Sequence, residues 1–143
     1  MKFIILVLTT IASQTFAQKQ NSVWVFGDSA GINFINIGNP TPISSGMRGR
    51  GSCVSYCDTM GSLKIYAFTV ESTGFVSTHL FNSNHTSIPG VDSVAGCCWY
   101  NELGLFPKPG DTTGNLFYVF SNSVGTAPNS GMYYTLVDMS LNN

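Results

Sequence analysis

The sequence predicts an all-β protein built from antiparallel hairpins, and three observations support that prediction. No window of the chain keeps the apolar period of 3.6 residues that marks an amphipathic helix. Short runs rich in β-branched and aromatic residues recur instead, and clusters of Gly, Pro, Ser and Asn separate them. Charged residues make up only 9% of the chain, so hydroxyls and amides must solvate its surface. This composition is typical of strands joined by tight turns.

Eight runs are predicted as strands because each is rich in strand-forming residues and is bounded by turn formers. In chain order they are Val23–Phe26, Ile32–Ile37, Cys53–Tyr56, Leu63–Val70, Phe75–Phe81, Cys98–Tyr100, Leu116–Phe120 and Met132–Val137. The long segments predicted as loops are Gly38–Gly51, Asn82–Gly96 and Ser121–Gly131. Little or no helix is expected beyond the N-terminal segment.

The N-terminal segment, residues 1–17, has the features of a secretory signal peptide. Lys2 provides the positive start, Phe3–Leu8 is a short apolar run, and Thr15 and Ala17 are the small residues at −3 and −1 of a cut before Gln18. The apolar run is too short to cross a bilayer. We therefore expect a chain that is secreted or held at the cell surface, with a single domain over residues 18–143 and no transmembrane span.

Charge and glycine patterning limit the classes of function. The formal net charge is −1 at pH 7, and no run of like charges indicates nucleic acid or an anionic membrane as partner. The segment Gly46–Gly51 is basic and rich in glycine. It lacks the following helix or the lysine motif that a phosphate-binding loop requires. We expect no cofactor.

The four cysteines of an exported chain favour disulfides. On one extended strand, Cys53 and Cys57 would lie roughly 13 Å apart on the same side, at ~3.3 Å per residue. They cannot pair with each other there, because a disulfide needs Cα atoms within about 7 Å. A bond from one of them to Cys97 or Cys98 is expected, with the connectivity left open. A zinc site has poor ligand spacing in this pattern.

A short pattern recurs in the chain and indicates a repeated sheet unit. Asp58–Leu63 (Asp-Thr-Met-Gly-Ser-Leu) returns as Asp111–Leu116 (Asp-Thr-Thr-Gly-Asn-Leu), and aromatic strand residues follow each copy. In Asp-x-x-Gly the carboxylate accepts backbone N–H bonds and the glycine closes a hairpin. Units of roughly 40–50 residues have the size of a propeller blade, so about two propeller-like blades are predicted. With a shorter echo at Asp28–Gly31, the predicted turn residues are Asp28, Gly31, Asp58, Gly61, Asp111 and Gly114.

Five motifs in order along the chain indicate a family. They are a segment like Trp-aromatic-Phe-Gly-x-x-Ala-Gly-x-x-Phe at Trp24–Phe34, with Val25 at the aromatic position, then Cys to Asp-x-x-Gly-x-Leu at Cys53–Leu63, Asn-x-Asn-His at Asn82–His85, Pro-x-Pro-Gly at Pro107–Gly110, and Tyr-x-x-Val-Asp-Met at Tyr134–Met139. On these motifs the chain resembles the N-terminal propeller-like region of large secreted surface proteins of gliding bacteria, which use type IX secretion. One departure is that Gly51 and Ser52 precede Cys53, where the family has an acidic residue.

The resemblance implies a non-enzymatic module that contacts an unknown protein or glycan at the cell surface. The relatives continue far beyond the Val-Asp-Met segment, so the chain is expected to be a truncated piece or a small paralogue of an adhesin-like protein. A closed propeller needs about four to eight blades. Uncovered strand edges would then favour edge-strand association with a partner. The loops expected to make contacts are Met47–Gly51, Asn82–Gly90 and Ser123–Ser130.

An enzymatic alternative is a small secreted serine esterase that uses Ser29. Gly27–Gly31 fits the Gly-x-Ser-x-Gly nucleophile pattern. Such a serine needs a general base within hydrogen-bond reach, and neither His79 nor His85 stands in the motif of those esterases. Because Ile32–Ile37 is predicted as a strand and not as a helix, Gly27–Gly31 is better interpreted as a hairpin turn.

Two further interpretations concern aromatic and histidine residues. A carbohydrate-binding module would use exposed aromatics, although aromatics in small β proteins more often form the core. His85 is expected to be a hydrogen-bonded loop residue, since no second metal ligand is placed beside it. The aromatics considered are Trp24, Trp99, Tyr100, Tyr133 and Tyr134.

The resemblance also implies O-glycosylation at Asp-Ser and Asp-Thr motifs, a modification used in that bacterial group. The competing interpretation is that these dipeptides are ordinary turn formers. The candidate acceptors are Ser29, Thr59, Ser93 and Thr112.

Overall fold

The computed structural model describes residues 19–49, 51–70, 78–91, 94–95, 103–123 and 130–142. Over these residues the chain forms nine strands and two short 3-10 helices, Lys19–Asn21 and Met139–Asn142. The strands are β1 (Val23–Phe26), β2 (Ala30–Asn33), β3 (Thr41–Ser44), β4 (Cys53–Cys57), β5 (Leu63–Thr69), β6 (Thr78–Asn82), β7 (Leu103–Pro107), β8 (Leu116–Ser123) and β9 (Gly131–Asp138). The prediction of an all-β chain is confirmed. Among the described residues, no helix is both long and apolar enough to cross a membrane.

The strands form three antiparallel sheets of three strands each, taken in chain order. We call them sheet 1 (β1–β3), sheet 2 (β4–β6) and sheet 3 (β7–β9). Within each sheet, strands that follow one another in sequence pair with each other, as expected for successive hairpins. The repeat in the sequence indicated about two units, whereas the described residues form three sheets.

Two strands lie where the sequence predicted none. β3 falls inside the predicted loop Gly38–Gly51, and Pro42 within it is exposed on an edge strand, a position that tolerates proline. β7 contains Gly104 and ends at Pro107, so its strand propensity is low. The predicted strand Cys98–Tyr100 lies outside the described residues.

Sheet 2 lies between the other two sheets, and its central strand packs on both sides. β4 contacts β1 on one side and β7 on the other. Along β5, Ile65 and Ala67 pack towards sheet 3, whereas Tyr66 and Phe68 pack towards sheet 1. Side chains alternate across a strand, so burial on both faces explains why β5 is continuously apolar from Ile65 to Phe68.

Two apolar cores hold the stack together. The core between sheets 1 and 2 contains Val23, Val25, Met47, Cys57, Tyr66 and Phe68. The core between sheets 2 and 3 contains Ile65, Ala67, Leu80, Ile88, Val94, Leu105, Phe117, Val119 and Val137. Each core therefore joins the faces of two consecutive sheets.

Acidic turns close two of the hairpins. The Asp58 carboxylate accepts the N–H groups of Met60 and Ser62 at 2.9 Å each, and Gly61 takes a φ of +91°. Asp111 does the same before β8, where Gly114 takes a φ of +69°. These glycines adopt the left-handed conformation that L side chains rarely tolerate.

Gly31 does not occupy the turn position that the sequence pattern predicted. The pairing of β1 with β2 closes at Phe26 and Ala30, so Gly31 already lies inside β2. The left-handed residues of this turn are Asp28 and Ser29, with φ of 50° and 67°. A Cβ atom on Gly31 would lie 2.7 Å from the Trp24 carbonyl oxygen, so the residue permits close packing of β2.

The disulfide expected from Cys53 or Cys57 is not formed among the described residues, where both are free thiols. Cys97 and Cys98 lie outside the described residues. Cys57 is fully buried in the core between sheets 1 and 2, and this burial raises the pKa of its thiol. Packing therefore explains the position of Cys57 without a covalent partner.

Candidate functional site

A cavity of about 400 Å³ lies between sheets 1 and 2, and we call it the seam cavity. It brings Ser29 into one site with both histidines of the chain, which lie far away in sequence. Its lining residues are Ser29, Ser45, Gly46, Arg48, Phe68, Val70, His79, Phe81 and His85.

Ser29 is held in place by backbone hydrogen bonds on both sides. Its N–H donates to the Met47 carbonyl at 2.8 Å, and its own carbonyl accepts the Ser45 N–H at 2.9 Å. Its hydroxyl also donates to the Met47 carbonyl, at 3.3 Å. The hydroxyl hydrogen thus points to a carbonyl and not to an imidazole, and a strand follows Ser29 where a nucleophile elbow requires a helix.

His85 is fixed by the buried Tyr66. The Tyr66 hydroxyl accepts the Gly46 N–H at 2.9 Å and lies 3.2 Å from His85 Nδ1, so it can donate its own hydrogen to that nitrogen. Burial raises the pKa of Tyr66. His85 has a φ of 61°, so the cavity is bordered by two left-handed residues that are not glycine, His85 and Ser29. Such conformations persist only where the surrounding structure enforces them.

The basic loop presents one arginine to the cavity. Met47 is fully buried in the core between sheets 1 and 2, whereas Arg48 is exposed beside the cavity. The His79 ring, which also lines the cavity, stacks on Phe68 with centroids 5.6 Å apart and an interplanar angle of 21°. Arg50 lies outside the described residues.

The lining defines what the seam cavity can bind. A guanidinium, two imidazoles and two hydroxyls offer donors, aromatic rings offer a surface for stacking, and no carboxylate is among the lining residues that the structure describes. An anionic or hydroxyl-rich ligand fits this donor set. Within the described residues, no group of three His, Cys, Asp or Glu side chains could hold a metal ion.

Sheet 3 turns a second feature, an open aromatic face, away from sheet 2. Phe106, Met132, Tyr134 and Leu136 are 56%, 73%, 68% and 49% exposed. Neighbouring rings on this face contact one another at centroid distances of 5.9–6.3 Å and interplanar angles of 41–72°. The residues of the aromatic face are Phe106, Tyr118, Phe120, Met132, Tyr134 and Leu136.

Sheet 1 has an open apolar face at the other end of the stack. Trp24 is 54% exposed and Phe26 is 39% exposed. Trp24 contacts Phe34 edge to face, with ring centroids 5.0 Å apart. Strand register places Ile32 and Pro42 on the same face as Trp24. Both ends of the stack therefore expose apolar side chains.

Some of the sequence-based candidates are placed by the structure, and others lie outside the described residues. Ser29, Thr59 and Thr112 are exposed, so each candidate glycosylation site among them is accessible. Tyr133 is half-buried, in contrast to the exposed Tyr134. Outside the described residues lie Ser93, Trp99, Tyr100 and most of the loop Ser123–Ser130.

Local sequence patterns did not indicate the seam cavity or the aromatic face as sites. Strand alternation in β8 and β9 does place Tyr118, Phe120 and Tyr134 on one side of sheet 3, but it does not say that this side is uncovered. Comparison with known proteins does not help, because no family model, curated protein or solved structure matches this chain.

Proposed function

We propose that this chain is an exported, non-enzymatic interaction module whose three sheets are propeller-like blades. Its contact surface is the aromatic face of sheet 3, and the surface that covers it is an apolar face of another β-sheet. The observation that carries this proposal is the cluster of large apolar side chains exposed together on one face of sheet 3. Contiguous patches of this kind mark interaction sites in soluble proteins.

The arrangement of the sheets supports the comparison with propeller blades. The first strands of the sheets lie side by side, since β4 contacts both β1 and β7. Each sheet is formed by strands in chain order, and consecutive sheets pack face to face. In a closed propeller every blade packs between two others. Within the part of the chain that the structure describes, sheet 2 has that environment, whereas sheets 1 and 3 each have a free face.

Burial of the aromatic face against a partner would release a large hydrophobic free energy. Complete burial of one large apolar side chain stabilises by about 1.5–3 kcal/mol, and four side chains of this face are about half exposed or more. Only the surplus over the entropic costs of association appears as affinity. A second apolar sheet provides a matching surface. Sheets pack face to face at about 10 Å, a distance at which the side chains of the two facing sheets contact one another.

Methionine oxidation tests whether the aromatic face is covered in the exported protein. Met132 on this face and Met60 in the β4–β5 turn are 73% and 70% exposed, so Met60 is a matched control. The protein is purified as its native host exports it and is treated briefly with peroxide. Peptide mass spectrometry then compares the oxidation rates of Met132 and Met60. We expect Met132 to oxidise at least about tenfold more slowly than Met60. Equal rates would contradict a covered face.

The same preparation tests the non-enzymatic part of the proposal. Ser29 lies within a hairpin turn and its hydroxyl donates to a carbonyl, so we expect no hydrolysis of a short-chain acyl ester. Hydrolysis that is lost in Ser29→Ala and kept in Ser45→Ala would show the esterase alternative to be correct.

A second candidate function, binding of an acidic carbohydrate, is favoured by the seam cavity. The aromatic face is a poor sugar platform because its rings are tilted against one another, whereas the cavity combines stacking rings with Arg48 and two hydroxyls. Calorimetric titration with an oligouronate tests it. Binding that Arg48→Ala abolishes and Lys64→Ala leaves intact is expected for this site, and heat unaffected by Arg48→Ala excludes it.

A further inference from the structure

The sequence repeat identifies which face of sheet 3 should carry a further sheet. Aligning Asp58–Leu63 with Asp111–Leu116 and continuing along the strands matches Ile65 with Tyr118 and Ala67 with Phe120. Ile65 and Ala67 are the β5 residues buried against the next sheet, sheet 3. Their counterparts Tyr118 and Phe120 lie on the aromatic face, where no next sheet follows within the described chain. The aromatic face is therefore equivalent to a face that is already covered in sheet 2.

Sheet 1, at the other end of the stack, exposes the kind of face that packs against a preceding sheet. Sheets 2 and 3 each turn one face to the preceding sheet, and sheet 1 has the equivalent face free, with Trp24 and Phe26 exposed on its first strand. A second copy of the chain thus carries, on its sheet 1, the face that would pack on sheet 3 as the next sheet of the stack. The free strand faces at the two ends hold one charged residue among the described positions, Asp138, so like charges do not oppose their contact.

We propose that two copies of this chain close a ring of six sheets, in which sheet 3 of each copy packs on sheet 1 of the other. This inference rests on the proposed function, since it names the sheet that covers the aromatic face. A two-fold axis makes the two contacts identical and leaves no free sheet face. Six sheets fall within the range of about four to eight that closed propellers contain.

Closure distinguishes this assembly from its alternatives. In a dimer joined only through the two aromatic faces, sheet 3 of each copy would be covered, and the free face of sheet 1 would stay exposed in both copies. Repeated head-to-tail contact without closure would produce filaments instead of a dimer. Only the closed ring uses both free faces of both copies.

Sedimentation velocity on the purified chain without its signal segment, over nanomolar to high micromolar concentrations, tests the ring. We expect the mass of two chains for the wild type. Trp24→Asp and Phe120→Asp should each weaken dimerisation at least about 30-fold, the effect of losing a hot spot. Met60→Asp is the matched control, because it places the same charge at an exposed apolar position in a turn of the covered sheet 2. It should remain dimeric.

The pattern of variants identifies the contact. If Phe120→Asp dissociates the dimer but Trp24→Asp does not, the aromatic faces meet each other and the ring is wrong. A monomeric wild type, or a wild type that grows beyond the dimer, overturns the ring as well. Mixing the two variants should partly restore a dimer, because one of the two contacts in the mixed pair has only wild-type residues.

Two further measurements separate a loss of dimerisation from misfolding and from binding to another partner. Far-ultraviolet circular dichroism and thermal unfolding check each variant, and Phe26→Asp and Tyr134→Asp replace any variant that fails to fold. A monomeric chain whose Met132 is nevertheless protected after export overturns the ring but keeps the interaction module with another partner. A monomeric chain with unprotected Met132 contradicts both proposals.

Discussion

At the scale of single residues, Asp111 illustrates how one carboxylate organises a turn. It accepts hydrogen bonds from the backbone of Thr113, Asn115 and Leu116 and from the Thr113 hydroxyl. These bonds, the Thr113 hydroxyl first among them, hold the pKa of Asp111 well below its ordinary value. A pKa that is lower in the folded state stabilises the fold at neutral pH, and this stabilisation is lost as the pH falls below about 4.

The stability of the fold at low pH should therefore depend on the charge of Asp111. Asp111→Asn should unfold at a lower denaturant concentration than the wild type at pH 7, and the difference should shrink as the pH is lowered towards 3. Denaturant unfolding at a series of pH values measures it. A difference that stays constant across this range would show that the Asp111 charge does not stabilise the turn.

Gly46 provides a second prediction at this scale. A Cβ atom there would lie 2.7 Å from the His85 carbonyl oxygen and 3.0 Å from the Phe81 ring. Gly46→Ala should therefore destabilise the chain by about 1–3 kcal/mol and displace the loop that forms the seam cavity. Gly38→Ala is the control, because its nearest neighbouring atom is 3.6 Å away. Equal thermal midpoints for the two variants would contradict the close packing at Gly46.

At the scale of elements, the loop between β3 and β4 is anchored by Met47. This side chain is fully buried among Val23, Val25 and Phe68, so it attaches the loop to the core between sheets 1 and 2. The anchoring explains why the neighbouring Arg48 is presented at a defined place beside the cavity.

Truncation of the anchor gives the third prediction. Met47→Ala should lower the free energy of unfolding by about 2–5 kcal/mol, as expected for a large core residue. Met60→Ala removes the same atoms from a side chain that is 70% exposed and should change stability little. Chemical denaturation compares the pair, and a cost for Met47→Ala as small as that for Met60→Ala would show that the loop is not held by the core.

The sequence predicted elements best where local patterns determine them. β1 was predicted with its observed bounds, and β4 and β5 within one residue at each end, because β-branched and aromatic runs sit between clear turn signals. β3 was missed since four residues that include Pro42 carry little strand signal. Gly31 was misplaced because Asp28 and Ser29 adopt the left-handed conformation that the pattern assigned to glycine.

The candidate site was less predictable for a physical reason. Ser29, Arg48, His79 and His85 meet only because sheets 1 and 2 pack face to face, and no local spacing encodes that contact. The acidic turns, in contrast, depend on residues that are adjacent in the chain. The repeat marked equivalent turns before β5 and β8, and its shorter echo at Asp28–Gly31 fell at the β1–β2 hairpin of sheet 1, but neither copy nor echo showed how the sheets pack on one another.

At the scale of the whole molecule, sheet 2 is packed on both faces, whereas the aromatic face of sheet 3 is exposed. β5 and β8 are the middle strands of their sheets, so both are fully paired, but β5 is packed on two faces and β8 on one. Burial on both faces should make local opening rarer in β5.

Hydrogen exchange of β5 and β8, read by mass spectrometry, tests whether a partner sheet covers the aromatic face in the native protein. In dilute single chains we predict that β8 amides exchange faster than β5 amides. In the protein as its native host produces it, exchange of the β8 amides should slow to a rate close to that of β5, because the second face of β8 is then covered. Exchange of β8 that is equally fast in both preparations would contradict the account.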